Sequence, residues 1–223
     1  FYDPLHDAVI DFVGGQADIQ KKIVRAIGDP HTRFDEDKLR VMRAIRFTTR
    51  LDFTLEEKTK AALCTFVSSI AEVSQERIRD ELVLMLTGPQ PYEALRMMDD
   101  VGLLERILPE ISAMKGVAQP PEYHPEGDVF THTMLMMKML SHASKTLAFS
   151  ALLHDVGKPL TFKDGEKIKF MYHSDVGRRI TEDILRRLRF SNDEIDDIAW
   201  CVSNHMNFMH VQKMRLGKLK RLM

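Results

Sequence analysis

Apolar residues recur every three to four positions through most of this chain, the period of a helix with one buried face. Leu39, Met42 and Ile45 set the pattern beside a row of arginines, and the spacing predicts a helix starting near Asp35. The Asp35 carboxylate is expected to cap its first amides, with Glu36 and Asp37 favouring the positive helix end. The same period predicts helices near 56–69, 75–87, 91–99, 128–144, 146–155, 175–188 and 193–209. Gly88-Pro89 and the stretch from Gly116 to Pro121 interrupt it. Short segments ending in Phe162 and Phe170 flank Asp164-Gly165 and read as a small β-hairpin. Residues 1–34, with prolines, Gly14-Gly15 and short apolar runs, read as the end of a further domain. The expected fold class is mainly α, with a helical region over 35–118 and a second over 119–223. No internal repeat or low-complexity tract is evident.

Composition narrows the partners. With 223 residues and 44% hydrophobic content, the chain is able to bury one or two cores. A formal net charge of −1 gives no global field to hold RNA. Any nucleic-acid contact falls to local clusters: Arg40, Arg43, Arg46 and Arg50, or the basic run from Lys213 to Arg221. Cys64 and Cys201 stand far apart, as in a reducing cytosol without a disulfide framework. No apolar run approaches the length of about 18 residues that spans a bilayer. The expectation is a cytoplasmic protein with no membrane contact, and, since the sequence opens on Phe1 and stops in a basic helical pattern, a piece of a longer one.

Residues 36–46, Glu-Asp-Lys-Leu-Arg-Val-Met-Arg-Ala-Ile-Arg, carry the most chemistry. On a helix Asp37 and Arg40 are neighbours. A carboxylate only accepts hydrogen bonds and a guanidinium only donates them. The pair thus complements adenine and cytosine, which present an amine beside a bare ring nitrogen, and opposes guanine and uracil, which present the reverse. Read blandly, the same two residues form a surface ion pair worth about 0.2–0.5 kcal/mol.

The surroundings favour the first reading. Gly28-Asp29-Pro30, Arg33-Phe34, Glu36-Asp37, Leu39-Arg40, Arg43-Ala44 and Arg46-Phe47 resemble the neck of the bacterial (class II) tRNA nucleotidyltransferases and their poly(A) polymerase relatives. Phe1-Tyr2-Asp3-Pro4 and Asp11, Gly14, Gly15, Asp18, Lys22 and Arg25 resemble the tail of that family's catalytic head, a segment linked to hinge motion. Ser74-Gln75-Glu76-Arg77-Ile78 with Asp80-Glu81 resembles the helix that braces the neck, although a plain cap at Ser74 explains it equally. His124-Pro125-Glu126-Gly127-Asp128, His132-Thr133 and Leu152-Leu153-His154-Asp155 with Gly157-Lys158-Pro159 resemble its HD domain. The resemblance implies that Asp37 and Arg40 read the base, that Glu36 caps or orients the helix, and that Arg43 or Arg46 neutralises nucleotide phosphates. It implies addition of CMP or AMP from CTP or ATP to a tRNA or other RNA 3′ end, with Mg2+ held by a head domain. Asp35-Glu36-Asp37 is no substitute for that head's paired carboxylates, because i and i+2 diverge by roughly 200° on a helix. No catalytic residue for nucleotidyl transfer is expected in this chain.

His132, His154, Asp155, His173 and His205 lie on separate expected elements of one domain. Imidazole and carboxylate ligands suit a divalent transition metal such as Zn, Mn, Fe, Ni or Co, which lowers the pKa of bound water and screens phosphate charge. His142 and His210 read as structural or surface residues. HD phosphohydrolases close their site with a late aspartate, and no acidic residue follows His205 here. The rival readings are a stand-alone hydrolase of phosphomonoesters or 2′,3′-cyclic phosphates, a poly(A) polymerase, and a non-catalytic RNA-binding module.

Overall fold

The computed structural model describes residues 1–122, 124–163, 168–208, 211 and 214–217. The turn expected at Asp164-Gly165, His210 and most of the Lys213-to-Arg221 run lie outside them. The chain divides into two compact units, Phe1–Ile107 and Leu108–Met223.

In the first unit, β1 (Tyr2–Asp3) pairs antiparallel with β2 (Ala8–Val9), and α1 (Gly15–Gln20) follows. Asp11 caps α1 by accepting from the amides of Gly15 and Gln16 at 3.0 and 2.8 Å, while Gly14 turns the chain at φ 75°. β3 (Ile23–Val24) later pairs in parallel with β4 (Thr54–Leu55). Between them run α2 (Pro30–Glu36) and α3 (Arg40–Leu51). The helix expected from Asp35 is therefore two helices. Asp29 starts α2, accepting from Thr32 N at 2.8 Å with Pro30 at the first helical position. Asp37 ends it: its backbone is extended, and its Oδ1 accepts from Leu39 N at 3.1 Å, a local bond that competes with helix continuation. Asp35 caps nothing and instead accepts from Lys38 Nζ at 2.8 Å.

α4 (Glu57–Phe66), a 3-10 turn (Val67–Glu72), α5 (Gln75–Leu86), α6 (Pro91–Asp100) and α7 (Leu103–Ile107) complete the unit. Ser74 precedes α5 without a capping side-chain hydrogen bond, contrary to the simpler reading of that segment. Met42, Ile45, Leu63, Leu82, Leu86, Leu95 and Met98 are fully buried together. Each such side chain contributes roughly 1.5–3 kcal/mol. Leu39, Met42 and Ile45 form the inward stripe that their spacing predicts.

The second unit comprises α8 (Pro109–Ser112), α9 (Val129–Lys138), α10 (Lys145–Leu153), α11 (Lys158–Thr161), α12 (His173–Arg187) and α13 (Asn192–Phe208). A short antiparallel pair, β5 (Phe162–Lys163) with β6 (Lys169–Phe170), stands before α12 and flanks the expected turn. α10 is buried from Ala148 to Leu153; α9 and α13 pack against it, and α12 packs on α13. α9 stops at Lys138 rather than running on to residue 144, and His142 sits in the left-handed region at φ 52°.

Candidate nucleotide-reading and metal sites

The first site is the break between α2 and α3. Asp37 lies in the gap and Arg40 opens α3, so a single turn, closed by Arg40 N donating to Asp37 O at 3.1 Å, relates them in place of the continuous helix expected from the sequence. α5 reaches across instead. Arg77 donates to Asp37 Oδ2 at 2.8 Å, while Leu39 N holds Oδ1. Burial alone would raise the Asp37 carboxyl, but the bonds from Arg77 and Leu39 outweigh it and hold it below the usual range. Arg40 Nη1 donates to Glu36 Oε2 at 2.6 Å and to Arg33 O at 2.7 Å. Glu36, expected to orient the helix start, thus closes the end of α2 and clasps Arg33 and Arg40 together. The Nε and Nη2 groups of Arg40 make no hydrogen bond among the described residues.

Glu81, one turn beyond Arg77 on α5, takes two more arginines of α3. Arg43 Nε reaches its Oε1 at 3.1 Å and Arg46 Nε its Oε2 at 2.6 Å. Glu81 is 5% and Arg46 9% exposed, and the Arg46 guanidinium stacks 4.3 Å from the Phe47 ring. Arg46 is thus part of the frame, and of the two arginines expected to neutralise a phosphate Arg43 is the more open. Arg43 keeps 45% of its side chain exposed.

In the second unit the structure gathers His132, His154, Asp155, His173 and His205, the five residues singled out by sequence. α9 carries His132, the turn after α10 carries His154 and Asp155, the first position of α12 carries His173, and α13 carries His205. Three rings are pinned alike. Nδ1 of His154, His173 and His205 donates to the carbonyl three residues back, of Ala151, Phe170 and Val202, at 2.8, 2.9 and 2.7 Å. That leaves each Nε2 turned inward. His154 Nε2 lies 3.0 Å from Asp155 Oδ2; those of His173 and His205 lie 3.6 and 3.7 Å from Oδ1 and 3.1 Å from each other.

A neutral imidazole protonated at Nδ1 has only a lone pair at Nε2. The centre is therefore a set of acceptors facing acceptors, which a proton or a cation reconciles. Burial pushes His205 down to about 4, which disfavours the proton. Burial would also raise Asp155, but the ammonium of Lys158 holds it well below the carboxylate range. Lys158, itself buried, donates to Asp155 Oδ2 at 2.8 Å and to Gln119 Oε1 at 2.5 Å. The donor set fits a divalent transition metal. Sequence reasoning left two neighbours without a role: Glu126, which accepts from His132, and His124 beside it.

Backbone approach holds these elements in register. A Cβ on Gly157 would stand 2.1 Å from His173 O and 2.6 Å from Gly177 N, so the turn after His154-Asp155 lies directly against the first turn of α12.

Two family models match the chain, one after the other. Residues 52–115 match the probable RNA and SrmB- binding site of polymerase A, and residues 128–222 match the HD domain. The chain is 33% identical over 210 residues to an A-adding tRNA nucleotidyltransferase of Deinococcus radiodurans, covering 89% of this chain and 48% of that protein. It is 34% identical over 220 residues to a multifunctional CCA protein of Burkholderia cenocepacia, covering 96% of this chain and 52% of that one. The fold superposes with a TM-score of 0.64 and 21% identity on the Bacillus stearothermophilus CCA-adding enzyme in complex with CTP, over all of this chain and 47% of that structure. The chain spans about half the length of the curated relatives it matches.

Proposed function

We propose that this chain, a homologue of the neck and HD portion of the tRNA nucleotidyltransferases, serves an enzyme that adds CMP and AMP from CTP and ATP to RNA 3′ ends, and that Asp37 and Arg40 select the incoming base. The supporting observation is the bracing of the α2–α3 break. Arg77 and Leu39 N fix the Asp37 carboxylate from two sides and leave it lone pairs to offer, while Glu36 and Arg33 fix one edge of Arg40 and leave its other donors uncommitted. In this reading Asp37 accepts from the exocyclic amine, Arg40 donates to the ring nitrogen, and Arg43 faces phosphate. Residues 1–34 serve as the tail of the head, 35–118 as the neck and 119–223 as the HD domain. The Mg2+-clamping carboxylates of nucleotidyl transfer are assigned to no residue of this chain. No helix among the described residues is long and apolar enough to cross a membrane, and we assign the enzyme to the cytoplasm.

Losing one base contact in a water-excluded pocket costs about 1–3 kcal/mol. In the full-length enzyme, Asp37→Ala and Arg40→Ala should each relax selection of ATP and CTP over GTP and UTP at least about tenfold. Unchanged selectivity in both variants overturns the assignment.

The acceptor-rich centre of the second unit favours an added activity, hydrolysis of phosphomonoesters or 2′,3′-cyclic phosphates. A divalent ion such as Ni, Mn, Co, Fe or Zn, when bound, supplies a Lewis acid and a more acidic water. The protein's part is to pin each ring at Nδ1 and to hold Asp155 with Lys158. Metal-dependent turnover of 2′,3′-cyclic AMP that disappears in His154→Ala and Asp155→Ala supports this; turnover that survives both excludes it.

A further inference from the structure

Four histidines surround the candidate metal centre, and the fourth is held differently. His132 Nδ1 meets a carboxylate, Glu126 Oε1, at 2.5 Å. The same oxygen lies 3.1 Å from His124 Nδ1, and the two rings stand edge to face with centroids 4.8 Å apart. A carboxylate has no proton to give, so the short contact fixes the proton on His132 Nδ1 and leaves the Nε2 lone pair for the centre. A backbone carbonyl fixes a tautomer as well. A charge-assisted bond is shorter and about twice as strong, and it raises the basicity of the ring it holds. Glu126 is no loose surface acid: its side chain is 21% exposed. Its loop is anchored one step on, where Asp128 caps α9 through Thr131 N at 2.8 Å and holds Gly116 N at 2.6 Å.

We propose that Glu126 is a positioning residue for the HD metal centre, setting the tautomer and strengthening the donor character of His132, with His124 as the clasp that keeps its carboxylate in place. The inference rests on the reading that the His–Asp cluster holds a divalent ion. The geometry opposes the rival, a further cation between His124, Glu126 and His132. A nitrogen and an oxygen 2.5 Å apart leave room for a proton, whereas two ligands of one tetrahedral ion stand roughly 3.3 Å apart at the usual bond lengths.

The test uses the whole chain labelled with 15N-histidine. Without metal, two-bond 1H–15N spectra should show His132 protonated at Nδ1, with that population lost in Glu126→Ala. Titration with Ni2+ or Mn2+ should show affinity reduced about 10–100-fold in Glu126→Ala. The isosteric Glu126→Gln, which keeps the acceptor and loses the charge, should retain the tautomer with an intermediate affinity. His124→Ala should weaken binding least, and stoichiometry should not change in any variant. A wild-type His132 protonated at Nε2, or an affinity unmoved in Glu126→Ala, overturns the proposal while the metal reading stands. A stoichiometry lower by one ion in Glu126→Ala or His124→Ala makes those residues ligands and overturns it too. A wild-type chain with the expected tautomer that binds no ion removes the metal reading, and this inference with it.

Discussion

The two charged centres solve opposite problems. In the first unit every carboxylate of the frame has met a guanidinium: Glu36 with Arg33 and Arg40, Asp37 with Arg77, Glu81 with Arg43 and Arg46. In the second, four ring nitrogens and a buried aspartate converge with a single ammonium, that of Lys158, among them. The first is complete without a ligand and offers only its spare edges. The second is complete only with an added positive charge. A self-satisfied polar frame suits recognition, where geometry must persist between ligands; an acceptor-rich hollow suits a resident ion.

The contrast breaks most readily at Asp155. Asp155→Ala should lower divalent-metal affinity by at least about 100-fold and abolish metal-dependent thermal stabilisation, which mass action sets at about 2.7 kcal/mol for ligand at 100 times its Kd. Thermal melts with and without Ni2+ or Mn2+ check this; equal stabilisation of variant and wild type would erase the distinction. Next in size is Glu81→Ala, which strands the buried Arg46 and should destabilise by about 3–5 kcal/mol in urea unfolding, irrespective of metal. A loss under about 1 kcal/mol would show the first frame to be ordinary surface pairing. Arg77→Ala sharpens the contrast from the other side. Its pair with Asp37 is partly exposed, so stability should change by under about 1 kcal/mol while base selectivity relaxes. Denaturation and competition assays of the same variant separate the two effects.

The smallest effect sets the baseline, at the start of α13. There the bond from Lys145 holds Glu194 down at about 2, and Ser191 adds to it. A depressed carboxyl contributes stability in full above its unfolded value of about 4.3 and loses it as pH falls through the folded value. The difference in unfolding free energy between wild type and Glu194→Gln should therefore be present in full at pH 6, under about 1 kcal/mol in size, and gone only once pH falls below about 2.

Long periodic helices were legible from the spacing of apolar residues alone: the segment expected at 75–87 is Gln75–Leu86, and that at 193–209 is Asn192–Phe208. The break at Asp37 was not. The periodicity of α3 is unbroken back to Leu39, and Asp35-Glu36-Asp37 has the composition of a helix start, while the deciding bond from Leu39 N to Asp37 Oδ1 is a matter of backbone geometry. The earlier signal, Asp29 followed by Pro30, was there to be read as the start of α2. The membership of the second centre was legible because motifs brought His132, His154 and Asp155 into view and His173 and His205 stand as histidines on separate expected elements of the same domain. The orientation of its rings was not, since three of the four Nδ1 partners are main-chain carbonyls, which no residue type announces. Glu126 was visible only as a letter in a motif, six residues from the ring it grips.

The contact of Gly157 with the first turn of α12 bears on how the second unit opens. With backbone against backbone there is no side chain to rotate aside, so the His154–Lys158 turn and the start of α12 have no partial separation available. Their amides should then exchange with solvent as one cooperative unit, with a common opening free energy. A resident ion would leave by a collective opening rather than by the release of one ligand at a time, and its residence time would report the stability of that unit as much as the strength of its bonds.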